Sequence, residues 1–578
     1  TIADVRREGS AVLSSPDQPA DQRAEIDVVT LREQTVGGVR QALWTLLAAV
    51  GAVLLVAVVN IALLLLTRGA TRARELSVRM AIGASRGRLL RQLFVESTVL
   101  GVAGGLAGVA VAAVALRALL ASAPAELPRA HEIGLDLPTL ACAFALTVAA
   151  SLGFGLLSAG RTLEIDLRAA LGGGSRLGAL SRGLSNRLHL LAAAELALTM
   201  VLLVVAGLLI RSFVRVATLD PGFSPRGVLA FQINLPANRY PDAVERVTLG
   251  ETLLSRIRAL GPVQRAAMTV ALPNRQSGAN FAFVAEGETF TFDPASMQTA
   301  ETRTVSDGFF ETMGMPLVAG RAFTVADDAR TEDVCIVSEG VVRKYLRGRD
   351  PIGLRIVYPQ GGGARIVGIV PDVRPATAGA DPKLALYLPM RQKARMFDWQ
   401  TSLHFVIRAE RPTALVPDIR KLATALDPVM PVYNVRTLDA ELATIVAAPR
   451  FNALVLSLFA FVALALACVG TYGVFAYVVS QRTLEIGIRT ALGATAGQVL
   501  WLVMRRGGVV LMAGAATGLL ASLAAGRLLA SQLFELNPAD PATLAGTTAL
   551  LVGFGCLATW LPARRALRIK PLDALREM

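Results

Sequence analysis

The chain has 578 residues, of which 53% are hydrophobic and only 18% charged, and its mean hydropathy is +0.52. Soluble domains lie near or below zero on that scale, so the composition excludes an ordinary soluble enzyme and points to a membrane protein. The formal net charge of +14 raises nucleic acid as a partner. Where the charges fall along the chain removes it.

The chain opens at Thr1 without methionine or signal peptide, and residues 1–40 are polar. They read as the C-terminal remnant of a first outer domain, with a strand-like alternation over Ala24–Val29. Seven apolar runs come next, each long enough to cross about 30 Å of hydrocarbon. They lie near 43–67, 97–120, 139–159, 190–210, 453–478, 507–530 and 542–561. A polar region, 213–445, separates the fourth from the fifth.

Loop charge orients these spans. Four segments, after spans one, three, five and seven, carry 21 Lys or Arg against seven Asp or Glu. The alternate short loops carry Arg129 alone (121–138) and no Lys or Arg (531–541). The basic segments are therefore expected in the cytoplasm, and 1–40 and 213–445 outside it. The net excess of positive charge is a topogenic signal, which leaves no nucleic-acid partner to expect.

One stretch in the basic loops occurs twice, at an offset of 410 residues. The first copy is Arg74-Glu75-Leu76-Ser77-Val78-Arg79-Met80-Ala81-Ile82-Gly83-Ala84-Ser85. The second is Leu484-Glu485-Ile486-Gly487-Ile488-Arg489-Thr490-Ala491-Leu492-Gly493-Ala494-Thr495. Glu75 stands four residues before Arg79, and Glu485 four before Arg489, the favourable order for a helical ion pair. Gly83 and Gly493 are placed to stop the helix in the left-handed conformation, and Ser85 and Thr495 to cap the next. Each copy thus predicts a short amphipathic helix, a tight turn and a helix returning to the membrane. It could serve only to anchor the loop. Its duplication favours a docking handle for a two-fold cytoplasmic partner.

The repeat extends into the spans. Gly104 and Gly108 recur as Gly514 and Gly518 at the same offset, a small-residue spacing that lets helices approach closely in lipid. Ala159-Gly160-Arg161-Thr162-Leu163-Glu164-Ile165 recurs as Ala563-Arg564-Arg565-Ala566-Leu567-Arg568-Ile569. Two three-span units therefore share one orientation. Asn60 is an intramembrane polar residue expected to hydrogen-bond between helices. Glu195, near the cytoplasmic end of span four, is either a functional ionisable group or a side chain that snorkels or pairs with an arginine. Glu96 reads as interfacial.

The outer region reads as mixed α/β, large enough for two small subdomains. Strands are expected at Val228–Ile233, Ala266–Ala271, Phe281–Glu286, Val334–Ser338, Ile366–Ile369 and Pro431–Val435. Helices are expected at Tyr240–Leu260, interrupted in its apolar stripe by Gly250, and at Glu339–Tyr345 and Pro417–Leu426. Gly361-Gly362-Gly363 reads as a hairpin turn and Asp327-Asp328 as a solvated turn. Four cysteines, three of them in apolar runs, give no disulfide framework. His131, His189 and His404 give no metal spacing. No triad order, nucleophile elbow or paired carboxylates can be assigned, so no catalytic residue is expected.

The apolar span, the repeated stretch and the Gly-rich span together resemble the FtsX-like permease domain of MacB-type ABC transporters. Val305–Arg321, Val337-Ser338-Glu339, Tyr345-Leu346, Asp350–Gly353 and Ala194–Leu198 resemble that family's periplasmic core domain. The resemblance implies a polytopic α-helical membrane protein with an extracytoplasmic α/β domain of the MacB-like periplasmic core type. It implies a multi-pass protein of the bacterial inner membrane with its large domain in the periplasm. The units it outlines are a remnant of a first periplasmic domain (1–40), a first three-span FtsX-like unit (41–171), a cytoplasmic linker (172–188), a span (189–212), the MacB-like core domain (213–445) and a second three-span unit (446–578). It further implies a permease subunit that couples ATP hydrolysis by a cytoplasmic ABC ATPase to periplasmic movement for export or efflux. The alternative is a mechanotransmitter that regulates a periplasmic partner without transport. Carried onto this sequence, the coupling residues are Glu75, Arg79, Gly83, Glu485, Arg489 and Gly493. No G-x-x-x-x-G-K-[ST] is present, so ATP is expected to act through the partner subunit and no cofactor to bind directly. Membrane lipid, and a periplasmic adaptor or outer-membrane component, complete the partners the resemblance implies.

Overall fold

The computed structural model describes residues 31–82, 84–121, 134–163, 175–273, 278–290, 297–359, 361–374, 382–394 and 400–566. The strand expected at Ala24–Val29 lies outside them. The apolar runs form long helices. The first three are α1 (Leu31–Ala81), α2 (Arg86–Ala121) and α3 (Leu137–Leu163), followed by α4 (Ser175–Thr218). The outer region then contributes α5 (Ala243–Arg258), α6 (Phe309–Met313), α7 (Glu339–Tyr345), α8 (Met390–Lys393) and α9 (Val416–Leu426). The last helices are α10 (Leu438–Gln481), α11 (Thr483–Ala491), α12 (Ala496–Leu528) and α13 (Pro541–Ala566).

Six helices among the described residues are long and apolar enough to cross a membrane: those at Arg40–Thr67, Gly87–Ala121, Ser185–Thr218, Leu438–Gln481, Ala496–Leu528 and Pro541–Arg565. The third expected span falls on α3, a helix of 27 residues whose apolar part among the described residues is the shorter Leu137–Ala149.

The two three-span units pack alike. In the first, α3 lies against both α1 and α2; in the second, α13 lies against both α10 and α12. Helix α4 fills the groove between α10 and α12 and also touches α1 and α13. That groove is a small-residue contact. A Cβ on Gly514 would stand 2.7 Å from Leu196 Cβ and 2.9 Å from the Ala193 carbonyl oxygen. One on Gly518 would stand 2.6 Å from Met200 Cβ and 2.8 Å from the Ala197 carbonyl oxygen. Ala193, Leu196, Ala197 and Met200 recur at helical spacing on one side of α4, so the two glycines admit a whole ridge. The corresponding expectation for Gly104 and Gly108 is corrected. Neither has any atom within 4 Å of a built Cβ, because no helix among the described residues occupies on α2 the place that α4 holds on α12.

The outer region is built on one twelve-stranded mixed sheet. The strands are β1 (Val228–Asn234), β2 (Val263–Thr269), β3 (Ala279–Ala282), β4 (Val284–Ala285), β5 (Thr299–Val305) and β6 (Ala319–Gly320). They continue with β7 (Val334–Ser338), β8 (Arg355–Val357), β9 (Gly363–Val370), β10 (Ala385–Pro389), β11 (Ser402–Ala409) and β12 (Val432–Thr437). The order is β12-β1-β11-β2-β5-β10-β7-β9-β8-β4, with β3 on β5 and β6 on β9. Alternation along β1 sorts its side chains between two cores. Leu229, Phe231 and Ile233 pack with Phe405 under α5 and α9, and Phe231 stacks on Phe405 at 4.9 Å. Val228 and Ala230 face a second core holding Phe309, Phe310, Tyr387 and, from α10, Leu438.

Local signals account for much of this. Asp242 caps α5, its carboxylate accepting from the Val244 N–H at 2.9 Å. Gly250 interrupts the apolar stripe because α5 approaches the sheet there; a Cβ would meet Leu403 Cδ1 at 2.7 Å. Gly361 and Gly362, at φ 88° and 80°, turn β8 back onto its antiparallel partner β9. Asp327 does not sit in a solvated turn. It is buried and accepts from Arg321 at 2.8 and 2.9 Å and from the Thr324 N–H at 2.8 Å. Six residues after Arg321, it closes a loop around a guanidinium.

Candidate coupling site

The repeated stretch ends both helices that carry it in the same way. The Ala494 N–H reaches back to the Arg489 carbonyl at 2.9 Å, and the Ala84 N–H to the Arg79 carbonyl at 3.0 Å. The Gly493 N–H adds a bond to the Thr490 carbonyl at 3.1 Å, and Gly493 has φ +94°. This is the left-handed Schellman stop, open to glycine at little cost. Thr495 then opens α12 with a reciprocal capping box. Its hydroxyl accepts from the Gln498 N–H at 3.4 Å, and the Gln498 side chain accepts from the Thr495 N–H at 3.0 Å.

The two copies differ in how they join their spans. In the second, the helix breaks at Arg482 and α11 is a separate nine-residue element. In the first, α1 runs unbroken for 51 residues to Ala81, so the expected short separate helix is here the last turns of the span itself. No glycine or proline lies between Gly69 and Ala81 to break it.

In α11 the expected brace is present, with Arg489 Nη2 2.8 Å from Glu485 Oε1. Arg482 adds a second contact to Glu485 at 3.6 Å. In the first copy Arg79 Nη1 donates to Gln92 Oε1 at 3.1 Å, and Gln92 Nε2 donates to Glu96 Oε1 at 3.1 Å. Glu96 therefore serves in a relay that ties the end of α1 to α2. Gly83 and the side chain of Glu75 lie outside the described residues.

The sequence gives the first copy an apolar side of Leu76, Val78 and Ile82, without telling which apolar residues of the repeat pack inward. Ile486 is 6% exposed and packs with Val479 of α10 and Val499 of α12. It wedges α11 between the helix before it and the helix after it. On its other side Leu492 is 83% exposed, and Ile488 is exposed four residues earlier. At the repeat offset, Ile82 is 81% exposed and Val78 is exposed. Both copies therefore present the same bare i, i+4 apolar pair beyond the membrane helices, a contact surface with no partner in this chain among the described residues. Amphipathicity of the stretch was legible; which of its apolar residues faced inward was not, because that depends on where α10 and α12 diverge.

Helix α10 connects this surface to the outer domain. Its Thr437 cap, accepting from the Ala440 N–H at 3.3 Å, belongs to β12, and Leu438 lies in the domain core. From there one helix of 44 residues, with Pro449 inside it, runs to Gln481, about 66 Å at 1.5 Å per residue. At its outer end the α12–α13 loop is latched onto α4. Arg211 pairs with Asp540, Arg215 donates to the Glu535 carbonyl, and the Phe534 N–H donates to Ser212 Oγ at 2.9 Å. The same loop holds α1: Gln532 Nε2 donates to Thr45 Oγ1 at 2.9 Å.

The two intramembrane polar residues meet. Asn60 of α1 donates from Nδ2 to the Leu466 carbonyl of α10 at 3.0 Å. Glu195 of α4 is fully buried, and neither of its carboxyl oxygens has a hydrogen-bond partner among the described residues. Both side chains converge on Gly470 of α10. A Cβ there would stand 2.5 and 3.0 Å from the Glu195 oxygens and 3.0 Å from Asn60 Oδ1. The expectation that Glu195 snorkels or pairs with an arginine is corrected, because it turns inward to the contact of three helices rather than along α4 to the basic loop. Among the described residues no group of three or more His, Cys, Asp or Glu could hold a metal ion.

Comparison with known proteins agrees with this architecture. The FtsX-like permease C-terminal family matches twice, at residues 47–167 and 457–571. The MacB-like periplasmic core domain family matches residues 196–424. The macrolide export ATP-binding/permease protein MacB of Chromobacterium violaceum is 28% identical over 276 residues, 47% of this chain and 42% of that protein. The protein of the same name from Acinetobacter baylyi is 27% identical over 290 residues, 48% of this chain and 42% of its own. This chain thus spans less than half the length of the curated relatives it matches. Two FtsX-like matches, one MacB-like core between them and six membrane-length helices make the chain a multi-pass inner-membrane permease of the MacB/FtsX-like ABC transporter kind, with a periplasmic domain and a duplicated FtsX-like unit.

Proposed function

We propose that the chain is the permease subunit of an export system. The bare apolar pairs Val78/Ile82 and Ile488/Leu492 receive the two halves of a separate cytoplasmic ABC ATPase. The observation that carries this reading is the duplication of that pair, exposed at equivalent positions in both units. A two-fold partner needs two equivalent handles. ATP enters the cycle only through that partner. When the ATPase closes, it pushes on the end of α1 and on α11. Ile486 holds α11 against α10, and α10 delivers the displacement to the periplasmic core through one helix. Glu485 with Arg489 keeps α11 rigid under load. The MacB proteins that this chain resembles are named as macrolide exporters, and a small hydrophobic export substrate is inferred by analogy alone. The periplasmic core would pass such a substrate to a periplasmic adaptor or outer-membrane component.

Co-purification tests the docking. Ile82→Asp with Leu492→Asp places a carboxylate in the centre of each contact. The double variant is expected to fold as the parent, since both side chains are exposed, and to lose binding and stimulation of the cognate ATPase. Binding and stimulation equal to the parent's would overturn the reading. If binding is lost while export of a candidate substrate was never measurable in the parent, the FtsX-like reading takes over: mechanical regulation of a periplasmic partner without transport.

A further inference from the structure

At the cytoplasmic end of the second unit, opposite the periplasmic core, α4, α10 and α12 enclose a cleft of about 880 Å³. Its charged lining is one-sided. Arg482, Arg505 and Arg506 border it, His189 completes the polar rim, and none of the described lining residues is acidic. Glu485, on the adjoining α11, is paired with Arg489 at 2.8 Å and Arg482 at 3.6 Å. Arg505 and Arg506 have no ion pair of their own among the described residues. His189 stacks on Phe475 at 6.0 Å and leaves a buried Nε2 without a hydrogen-bond partner among the described residues. The other walls are apolar and open sideways: Leu190 is 71% exposed and Val509 66%. Trp501, exposed one turn before Arg505, is the aromatic type that favours the interface.

A cationic rim above an apolar lateral wall, at the level where helices leave the bilayer, matches an amphiphile with an anionic head. We propose that this cleft binds an anionic phospholipid, its phosphate on Arg505, Arg506 and His189 and its acyl chain along Leu190 and Val509. The repeat separates this site from the ATPase handle. The handle is present in both units, whereas the positions equivalent to Arg505 and Arg506 in the first unit are Val95 and Glu96. A two-fold partner would call for the arginines twice. A lipid needs them once, and Glu96 in the first unit would repel the same headgroup. Each arginine near an anionic surface contributes enough for roughly a fivefold change in affinity.

The test uses the full chain in nanodiscs of phosphatidylcholine with and without phosphatidylglycerol, with retained lipid counted by native mass spectrometry. The parent is expected to retain phosphatidylglycerol selectively. Arg505→Gln with Arg506→Gln should weaken retention roughly 25-fold, Arg505→Lys with Arg506→Lys should largely keep it, and Arg527→Gln at the outer end of α12 should leave it unchanged. If the glutamine pair misfolds, Leu190→Trp decides, because it fills the cleft from an exposed position and should also abolish retention. Retention unaffected by both changes overturns the proposal. So does a glutamine pair that loses the ATPase while keeping the lipid, which would assign the arginines to the protein partner.

Discussion

At the residue scale, close packing in lipid rests on positions where a side chain is missing. Gly514 and Gly518 admit α4, and Gly514→Ala or Gly518→Ala would drive a methyl group to within 2.6–2.9 Å of carbon and carbonyl oxygen. Each substitution is expected to cost about 1–3 kcal/mol, read as a lowered Tm of the detergent-solubilised chain. Gly104→Ala and Gly108→Ala meet nothing within 4 Å, so their Tm should hold or rise, with alanine favoured in a helix by about 1 kcal/mol. A fall equal to that of the α12 variants would contradict the asymmetry between the units. The sequence showed the four glycines as equals. Their difference lies in what sits opposite, which no local pattern encodes.

Buried ion pairs stand out in the periplasmic core. Arg303, fully buried, pairs with Glu301, and Glu301 also meets Lys383 at 3.0 Å and the Gly278 N–H at 2.6 Å. Burial pushes the Glu301 carboxyl up, but Arg303, the Gly278 N–H and Lys383 outweigh it and hold it below the usual carboxylate value. Asp327 is likewise lowered: burial opposes, and the Arg321 and Thr324 bonds prevail. A carboxyl lowered in the folded state stabilises fully above its unfolded value, and that contribution is lost as pH falls through the folded value. Resistance of the core to proteolysis should therefore decline from neutral pH into the acid range; a rise on acidification would contradict it. Arg303→Met removes one of the two cations on Glu301, which keeps Lys383 and the Gly278 N–H, and is expected to cost about 1–3 kcal/mol of the core's stability.

At the element scale, α11 is a short helix made dependable by its ends. Nine residues are too few for a stable helix in water. Gly493 stops it, Thr495 caps the start of α12 and Ile486 pins it. Thr495→Ala should cost about 1 kcal/mol and be visible as faster amide exchange over 494–499. Ile486→Ala removes the wedge and is expected to reduce ATPase stimulation while leaving ATPase binding at Leu492 measurable. If stimulation is unchanged, α11 does not act through Val479 and Val499. Much at this scale was legible in advance. Val334–Ser338 and Glu339–Tyr345 stand where alternation and helical spacing put them, and Asp242 and Thr495 cap as their side chains dictate. What was not legible is the continuity of α1 into the first repeat, since the same stretch is broken at Arg482 in one context and unbroken in the other. Asp327 escaped for the same reason, its partner Arg321 being fixed by a loop rather than by a period.

At the scale of the whole molecule, α10 is the only described helix that leaves the sheet of the core at Thr437 and reaches the coupling surface beside Arg482. Asn60 of α1 hydrogen-bonds α10, and Asn60 and Glu195 of α4 both pack against its Gly470, so α10 is closely packed with one helix of each neighbouring group. The latch of the α12–α13 loop on Ser212 and Thr45 joins the outer ends in the same way. In the proposed cycle a push on α11 would reach the periplasmic core through packed helices rather than through loops. The most direct measurement places spin labels at Val429 in the core and Leu528 at the outer end of α12, both exposed, in a cysteine-free chain reconstituted with its ATPase. The distance is predicted to change when a non-hydrolysable ATP analogue is added, and the change to vanish with Ile82→Asp and Leu492→Asp. An unchanged distance in the parent, or the same change in the double variant, would contradict coupling through the repeated stretch.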